Sequence, residues 1–226
     1  MAARVRSGRA GKGRAKPAWL AGLVVLLLLA GGLLWLFGGA AERGTAEIGG
    51  AFRLVSDSGA VVTGRSFPGK YLLIYFGYTS CPDVCPTTLA DIAVALTRLG
   101  KRAARVQTLF ISVDPARDTP AVLEKYLARF SPAIIGLTGS QSEIGVVEKE
   151  FRVSVAMVPG KDGGYSVDHT AALYLMAPDG RFVTALRADE GGDALAAEIG
   201  KIVSRGGEAA AGPLSRQAGR QPADRA

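Results

Sequence analysis

Ligand-type side chains are scarce in this chain. Its 226 residues include 2 cysteines, Cys81 and Cys85, and 1 histidine, His169. Each shortage excludes a class of site. A structural zinc site closes four ligands around the ion, normally Cys and His, and this chain has three. A blue-copper centre takes two histidines and a cysteine, and there is one histidine. A Ser-His-Asp hydrolase of the nucleophile-elbow kind carries G-x-S-x-G, and no such stretch occurs. A catalytic zinc hydrolase needs only three protein ligands and a water, but no general base is signalled beside these three. Acidic residues are missing before Glu42, whereas Arg4, Arg6, Arg9, Lys12, Arg14 and Lys16 carry most of the formal net charge of +7. The remainder of the chain is close to neutral. The basicity therefore belongs to a short N-terminal stretch, and no nucleic-acid-binding face is signalled. Glycine is frequent, at 30 residues, but without a period, so collagen-like and low-complexity readings fail.

What the chain does have begins with a long apolar run. Residues 17–41 hold no charged side chain, and about 20 apolar residues at ~1.5 Å each span a hydrocarbon core of roughly 30 Å. Trp19 and Trp35 stand near its two ends, where indole rings favour the membrane interface. Residues 18–40 are therefore expected to be a transmembrane anchor. The positive-inside rule keeps the basic residues 1–17 in the cytoplasm and sends the rest across. This describes a single-pass protein of the inner (cytoplasmic) membrane whose soluble domain faces the periplasm or exterior. The competing reading is a cleaved signal peptide, because Gly38-Gly39-Ala40-Ala41 offers small residues to a peptidase. Both readings export the domain.

Residues 41–50 read as a linker, 51–204 as the folded domain, and 205–226, poor in large apolar residues, as a disordered tail. Within the domain, 51–55 and 61–62 suggest a hairpin over Asp57-Ser58-Gly59. The continuous apolar run 71–76 suggests a strand buried on both faces. A helix is expected from about Pro86 to Leu99, ending at Gly100. A strand over 106–113, a helix from Thr119-Pro120 to Phe130, and a strand over 134–137 follow. Ser140 and Glu143 then form a capping-box pattern for a helix to Phe151. Strands near 171–176 and 181–186 flank the turn Ala177-Pro178-Asp179-Gly180, and a last helix runs from Gly192 to Val203. Strands alternating with helices, then a late hairpin and a closing helix, give an α/β class with a central mixed sheet flanked by helices. The order is thioredoxin-like.

In such a sheet, chemistry collects where strands end and helices begin. Cys81 and Cys85 fall there, at the start of a helix whose N-terminus is expected to lower a nearby thiol's pKa. Three Cys-x-x-x-Cys readings compete: a clamp for one ion, a redox pair, and a structural disulfide favoured by an oxidising compartment. A disulfide closing so short a loop removes little unfolded-state entropy and makes a poor staple. His169 could be an ordinary surface or core histidine. It lies, however, in Val167-Asp168-His169-Thr170, on what reads as a loop before the late hairpin. In thioredoxin-like chains a loop at this place ends in a cis-proline and faces the cysteines. Asp168 or a backbone carbonyl would then orient the ring.

Four separated blocks now carry a resemblance: 75–86 (Tyr-Phe-Gly-Tyr-Thr-Ser-Cys-Pro-Asp-Val-Cys-Pro), 110–120 (Phe-Ile-Ser-Val-Asp-Pro-Ala-Arg-Asp-Thr-Pro), 135–139 (Ile-Gly-Leu-Thr-Gly) and 165–170 (Tyr-Ser-Val-Asp-His-Thr). A Cys-x-x-x-Cys pair alone is a weak signal, but joined in order to these blocks it resembles the Sco/SenC family of copper proteins. The resemblance implies a thioredoxin fold behind one transmembrane helix and copper, as Cu(I) or Cu(II), held by Cys81, Cys85 and His169. It further implies delivery to the dinuclear copper site of cytochrome c oxidase subunit II. Another copper chaperone or a thioredoxin-like reductase are further expected partners. Ala116 stands where the family often has Glu, and Thr170 where it often has Ser; neither removes a ligand. The block at Asp114 reads as structural, with Asp114 ending a strand beside the cysteine loop. Two functions remain open. One is a chaperone that passes copper by ligand exchange, which is not an enzyme. The other is a membrane-anchored thiol–disulfide oxidoreductase in which one of Cys81 and Cys85 attacks and the other resolves.

Overall fold

The computed structural model describes residue 28 and residues 48–210, apart from 132, 161 and 162, with side chains described to residue 205. Contacts divide the chain into residues 1–46 and 47–226. The basic segment 1–17 and the anchor 18–40 lie outside the described residues except for Leu28, as does the tail beyond 210. Among the described residues no helix is long and apolar enough to cross a membrane.

The second unit is built on a seven-stranded mixed sheet. Strands β1 (Arg53–Ser56) and β2 (Val61–Thr63) make the expected hairpin, closed by the Ser56 amide donating to the Ala60 carbonyl at 2.8 Å. Strand β3 (Tyr71–Gly77) is buried at all seven positions, as an uninterrupted apolar run requires. Helix α1 (Val84–Leu99) returns the chain, a 3-10 turn (Gly100–Arg105) extends it, and β4 (Val106–Ser112) pairs parallel with β3. Helix α2 (Pro120–Leu127) starts with Pro120 behind a Thr119 cap and leads to β5 (Ile134–Thr138), parallel to β4. Helix α3 (Gln141–Glu150) has the full capping box: the Glu143 amide donates to Ser140 Oγ, and the Ser140 amide donates to Glu143 Oε2. Strands β8 (Ala172–Met176) and β9 (Phe182–Arg187) then pair antiparallel, and α4 (Gly192–Ala210) packs against α1. The spatial order is β2-β1-β5-β4-β3-β8-β9, with β3 and β4 central.

Three features depart from the sequence reading. Helix α1 starts at Val84 rather than Pro86, and α4 runs on past Val203. The stretch before the late hairpin is not a loop. It forms a separate two-stranded antiparallel ribbon, β6 (Val155–Pro159) with β7 (Tyr165–His169), outside the main sheet. Positions 156–159 of β6 are all exposed, so the hydrophobic alternation that marks a half-buried strand is missing there.

The end of β3 is tightly packed. A Cβ on Gly77 would stand 2.7 Å from Phe110 Cε2 and 3.1 Å from Cys85 Sγ. Overpacking of a close-packed core costs about 1–3 kcal/mol. Gly77→Ala is predicted to lower unfolding free energy by about that amount in a denaturant titration; an unchanged midpoint would contradict this packing.

Candidate metal centre

Strands β3 and β4 are in parallel register to their last residues, Gly77 opposite Ser112, and the Val113 amide closes the pair by donating to the Gly77 carbonyl at 2.9 Å. The cysteine segment leaves the sheet at this carboxyl end, where α/β sheets place their sites. The Cys81 amide donates to the Tyr78 carbonyl at 3.3 Å, turning the chain into α1. Cys81 is half-buried; Cys85, in the first turn of the helix, is fully buried, and both are free thiols. The Asp83 side chain, at the N-cap, makes no capping bond. Cys81 Sγ accepts from the Cys85 amide at 3.4 Å instead, satisfying a helix-end donor that would otherwise have no partner.

His169 ends β7, opposite Val155. The ribbon, rather than the expected loop, delivers it: Nε2 lies 3.5 Å from Cys85 Sγ, and Nδ1 lies 3.2 Å from the Thr170 carbonyl oxygen. A carbonyl can only accept, so Nδ1 carries the proton and Nε2 turns its lone pair toward the Cys85 thiol. Of the two expected orienting groups, the backbone carbonyl makes the bond. No cis peptide occurs among the described residues. Tyr75 and Tyr78 set their rings edge-on to the imidazole, with centroids 6.4 and 6.0 Å away.

Burial dominates the electrostatics. It holds His169 below the ordinary imidazole pKa, so the ring is neutral near pH 7 and free to ligate. It pushes the Cys85 thiol up to about 12, against the lowering expected from a helix N-terminus. The helix field is weak at a single terminus, and it does not offset removal of a thiolate from water. Burial, and then the Cys85 sulfur, also push the Tyr75 phenol up. The structure thus gathers all three sequence-predicted residues into a chain of contacts, Cys81 to Cys85 to His169. It does not close them into a finished cage: among the described residues no three His, Cys, Asp or Glu side chains already enclose an ion position. Sequence reasoning missed Tyr75 and Tyr78 beside the imidazole, and Thr79, Asp118 and Tyr165 around the site. The aromatic, hydroxyl and acidic residues inside the three blocks at 75–86, 110–120 and 165–170 were the available signal.

The SCO1/SenC family model matches residues 40–204. Protein SCO1 homolog 1, mitochondrial, of Arabidopsis thaliana is 42% identical over 143 residues, covering 63% of this chain and 43% of that protein. Bradyrhizobium japonicum ScoI, solved with copper bound, is 47% identical with a TM-score of 0.64, over 70% of this chain and 98% of that one. BsSco, a member of the Sco family of cytochrome c oxidase assembly proteins in which a disulfide switch was identified, is 27% identical with a TM-score of 0.57, over 70% and 92%. The chain spans about half the length of the curated relatives it matches.

The two thiols differ in exposure and environment, which predicts unequal reactivity. Limited iodoacetamide treatment of the reduced apo protein at pH 8, read by peptide mass spectrometry, should alkylate Cys81 first, with Cys85 slower by about tenfold or more because the reactive species is the thiolate. Equal rates would contradict the burial of Cys85.

Proposed function

The chain belongs to the SCO1/SenC family, and from that premise we propose that it is a membrane-anchored copper chaperone. It takes copper on Cys81, Cys85 and His169 and delivers it to the dinuclear copper site of cytochrome c oxidase subunit II. The observation that carries this reading is the approach of a neutral imidazole Nε2 to the buried Cys85 thiol at 3.5 Å, with the second sulfur 3.4 Å from the Cys85 amide. The donor set fits the cargo. Thiolate sulfur and imidazole are ligands suited to Cu(I), and a three-ligand site leaves the ion open to a competing acceptor. The copper-bound state of the similar Bradyrhizobium protein supports the same reading.

Binding is coupled to protons. Cys85 is a thiol at neutral pH, so capture of Cu(I) must release its proton, and apparent affinity should rise with pH. Cys81 Sγ has lone pairs to spare, so it can bind the ion while still accepting from the Cys85 amide. The apolar run 18–40 and the basic residues before it support an inner-membrane anchor with a cytoplasmic N-terminus and the copper domain on the periplasmic or exterior side.

A second reading is favoured by the two free, adjacent thiols and by the disulfide switch identified in BsSco. Here the Cys81 thiolate attacks one sulfur of a partner disulfide and expels the other as a thiolate; the Cys85 thiolate then attacks the Cys81 sulfur of the mixed disulfide and expels the remaining partner sulfur, leaving Cys81–Cys85 oxidised and the partner a dithiol. The deep burial of Cys85 favours the copper role, because resolution requires a thiolate where burial opposes one.

His169→Ala separates the two. Competition of the reduced full-length protein with a Cu(I) chelator should show affinity falling about a hundredfold, ~2.8 kcal/mol at 1.4 kcal/mol per tenfold. Disulfide exchange with a model substrate should stay within about twofold. Unchanged copper affinity in this variant would remove the copper reading.

A further inference from the structure

The ribbon that carries His169 takes no place in the seven-stranded sheet, so other contacts must hold the imidazole over the thiols. They converge on one turn. Tyr165 Oη donates to Asp114 Oδ1 at 2.9 Å, Arg117 Nη1 donates to the Tyr165 carbonyl at 3.1 Å, and the Arg117 guanidinium lies 3.9 Å over the Tyr165 ring. Arg117 Nε is itself fixed by a hydrogen-bonded ion pair to Asp114 Oδ2. Further along the ribbon, the Val167 amide donates to Tyr78 Oη at 3.3 Å, tying it to the cysteine loop directly.

The same turn reaches the opposite way. Asp118, fully buried, accepts from the Thr79 amide at 3.1 Å, from Thr79 Oγ1 at 2.6 Å and from Ser112 Oγ at 2.6 Å. Thr79 stands two residues before Cys81. The turn's own shape is held by Ser112 Oγ, which accepts the Asp114 amide at 3.0 Å, and by the Asp118 amide donating to the Asp114 carbonyl at 3.0 Å. Two carboxyl side chains at 0% exposure are costly to bury unless their hydrogen bonds are made, and an apolar filling of such a space is often as stable. What a polar network supplies that an apolar one does not is fixed direction.

We propose that the turn 114–118 is the positioning element of the metal centre, holding the Cys81 loop through Asp118 and the His169 ribbon through Asp114 and Arg117. The inference rests on the copper reading and adds to it the residues that keep the ligands together. None of them is one of the three proposed ligands. Both halves of the site hang from one short segment, which together with the Val167–Tyr78 bond holds the sulfur and imidazole donors in register although the ribbon has no place in the main sheet. Weakening either tether leaves the ligand set intact but lets the donors part more often. Its signature is therefore the rate at which copper leaves.

Two near-isosteric variants test this on the full-length protein. Thr79→Val removes the hydroxyl that Asp118 accepts, and Tyr165→Phe removes the hydroxyl that Asp114 accepts while keeping the ring on Arg117. Each should speed Cu(I) loss to an excess of chelator about tenfold, with one copper still bound per chain at saturation, and Thr79→Ser should restore the rate. A merely structural role would lower the melting midpoint and leave the dissociation rate within twofold of the original; that result, in both variants, overturns the proposal. If the unaltered protein takes up no Cu(I), the copper reading fails as well, which a normal wild-type stoichiometry with unchanged variant rates does not imply.

Discussion

The in-register parallel pairing of β3 with β4 is the constraint on which the site depends. From Tyr71 opposite Val106 to Gly77 opposite Ser112, seven residue pairs run side by side through the middle of the sheet. The register resists slippage because a one-residue shift would put a side chain where only Gly77 fits, between Phe110 and Cys85. Both strands therefore end at the same level. The cysteine loop leaves Gly77 beside the turn that leaves Ser112, close enough for Asp118 to take both donors of Thr79. Gly77 itself must lack a side chain, since Phe110 and Cys85 occupy the space a Cβ would need.

At that edge, two effects that act on a thiol oppose one another. A helix N-terminus favours thiolate, and burial favours thiol; for Cys85 burial wins by a wide margin. The same burial keeps His169 neutral. The site without metal is thus uncharged at both donors, with the thiol proton directed to the imidazole nitrogen. A soft cation changes the balance because it supplies the positive charge that a buried thiolate lacks. Under the proposed copper role, burial of Cys85 favours an ion that binds sulfur strongly over a bare thiolate.

Much of the fold was legible because its core strands are apolar along their length. The run at 71–76, the box at Ser140 and Glu143 and the turn before Gly180 each carry a local signal strong enough to survive tertiary context. Strand β6 carried none, since Ala156, Met157, Val158 and Pro159 are all exposed, and the alternation of β7, exposed Ser166 and Asp168 about buried Val167, is only five residues long. The ribbon's existence is a matter of tethers rather than of pattern. For the site, the identities of Cys81, Cys85 and His169 followed from their scarcity and from the four blocks that match a family. Thiol acidity was read with the wrong sign, because sequence shows that Cys85 opens a helix but not how deeply that opening is buried. Asp118 was passed over for a related reason. In Asp-Pro-Ala-Arg-Asp-Thr-Pro a second aspartate looks like a solvated turn residue, and only the packing of β4 against β3 puts it inside.

The central claim is that one copper ion is held jointly by the cysteine loop and the histidine ribbon. X-ray absorption at the copper edge on the Cu(I)-loaded full-length protein tests it most directly. The account predicts two sulfur neighbours together with one imidazole nitrogen and its outer-ring scattering, the latter lost in His169→Ala. Coordination by sulfur alone, or imidazole scattering that survives removal of His169, would contradict it.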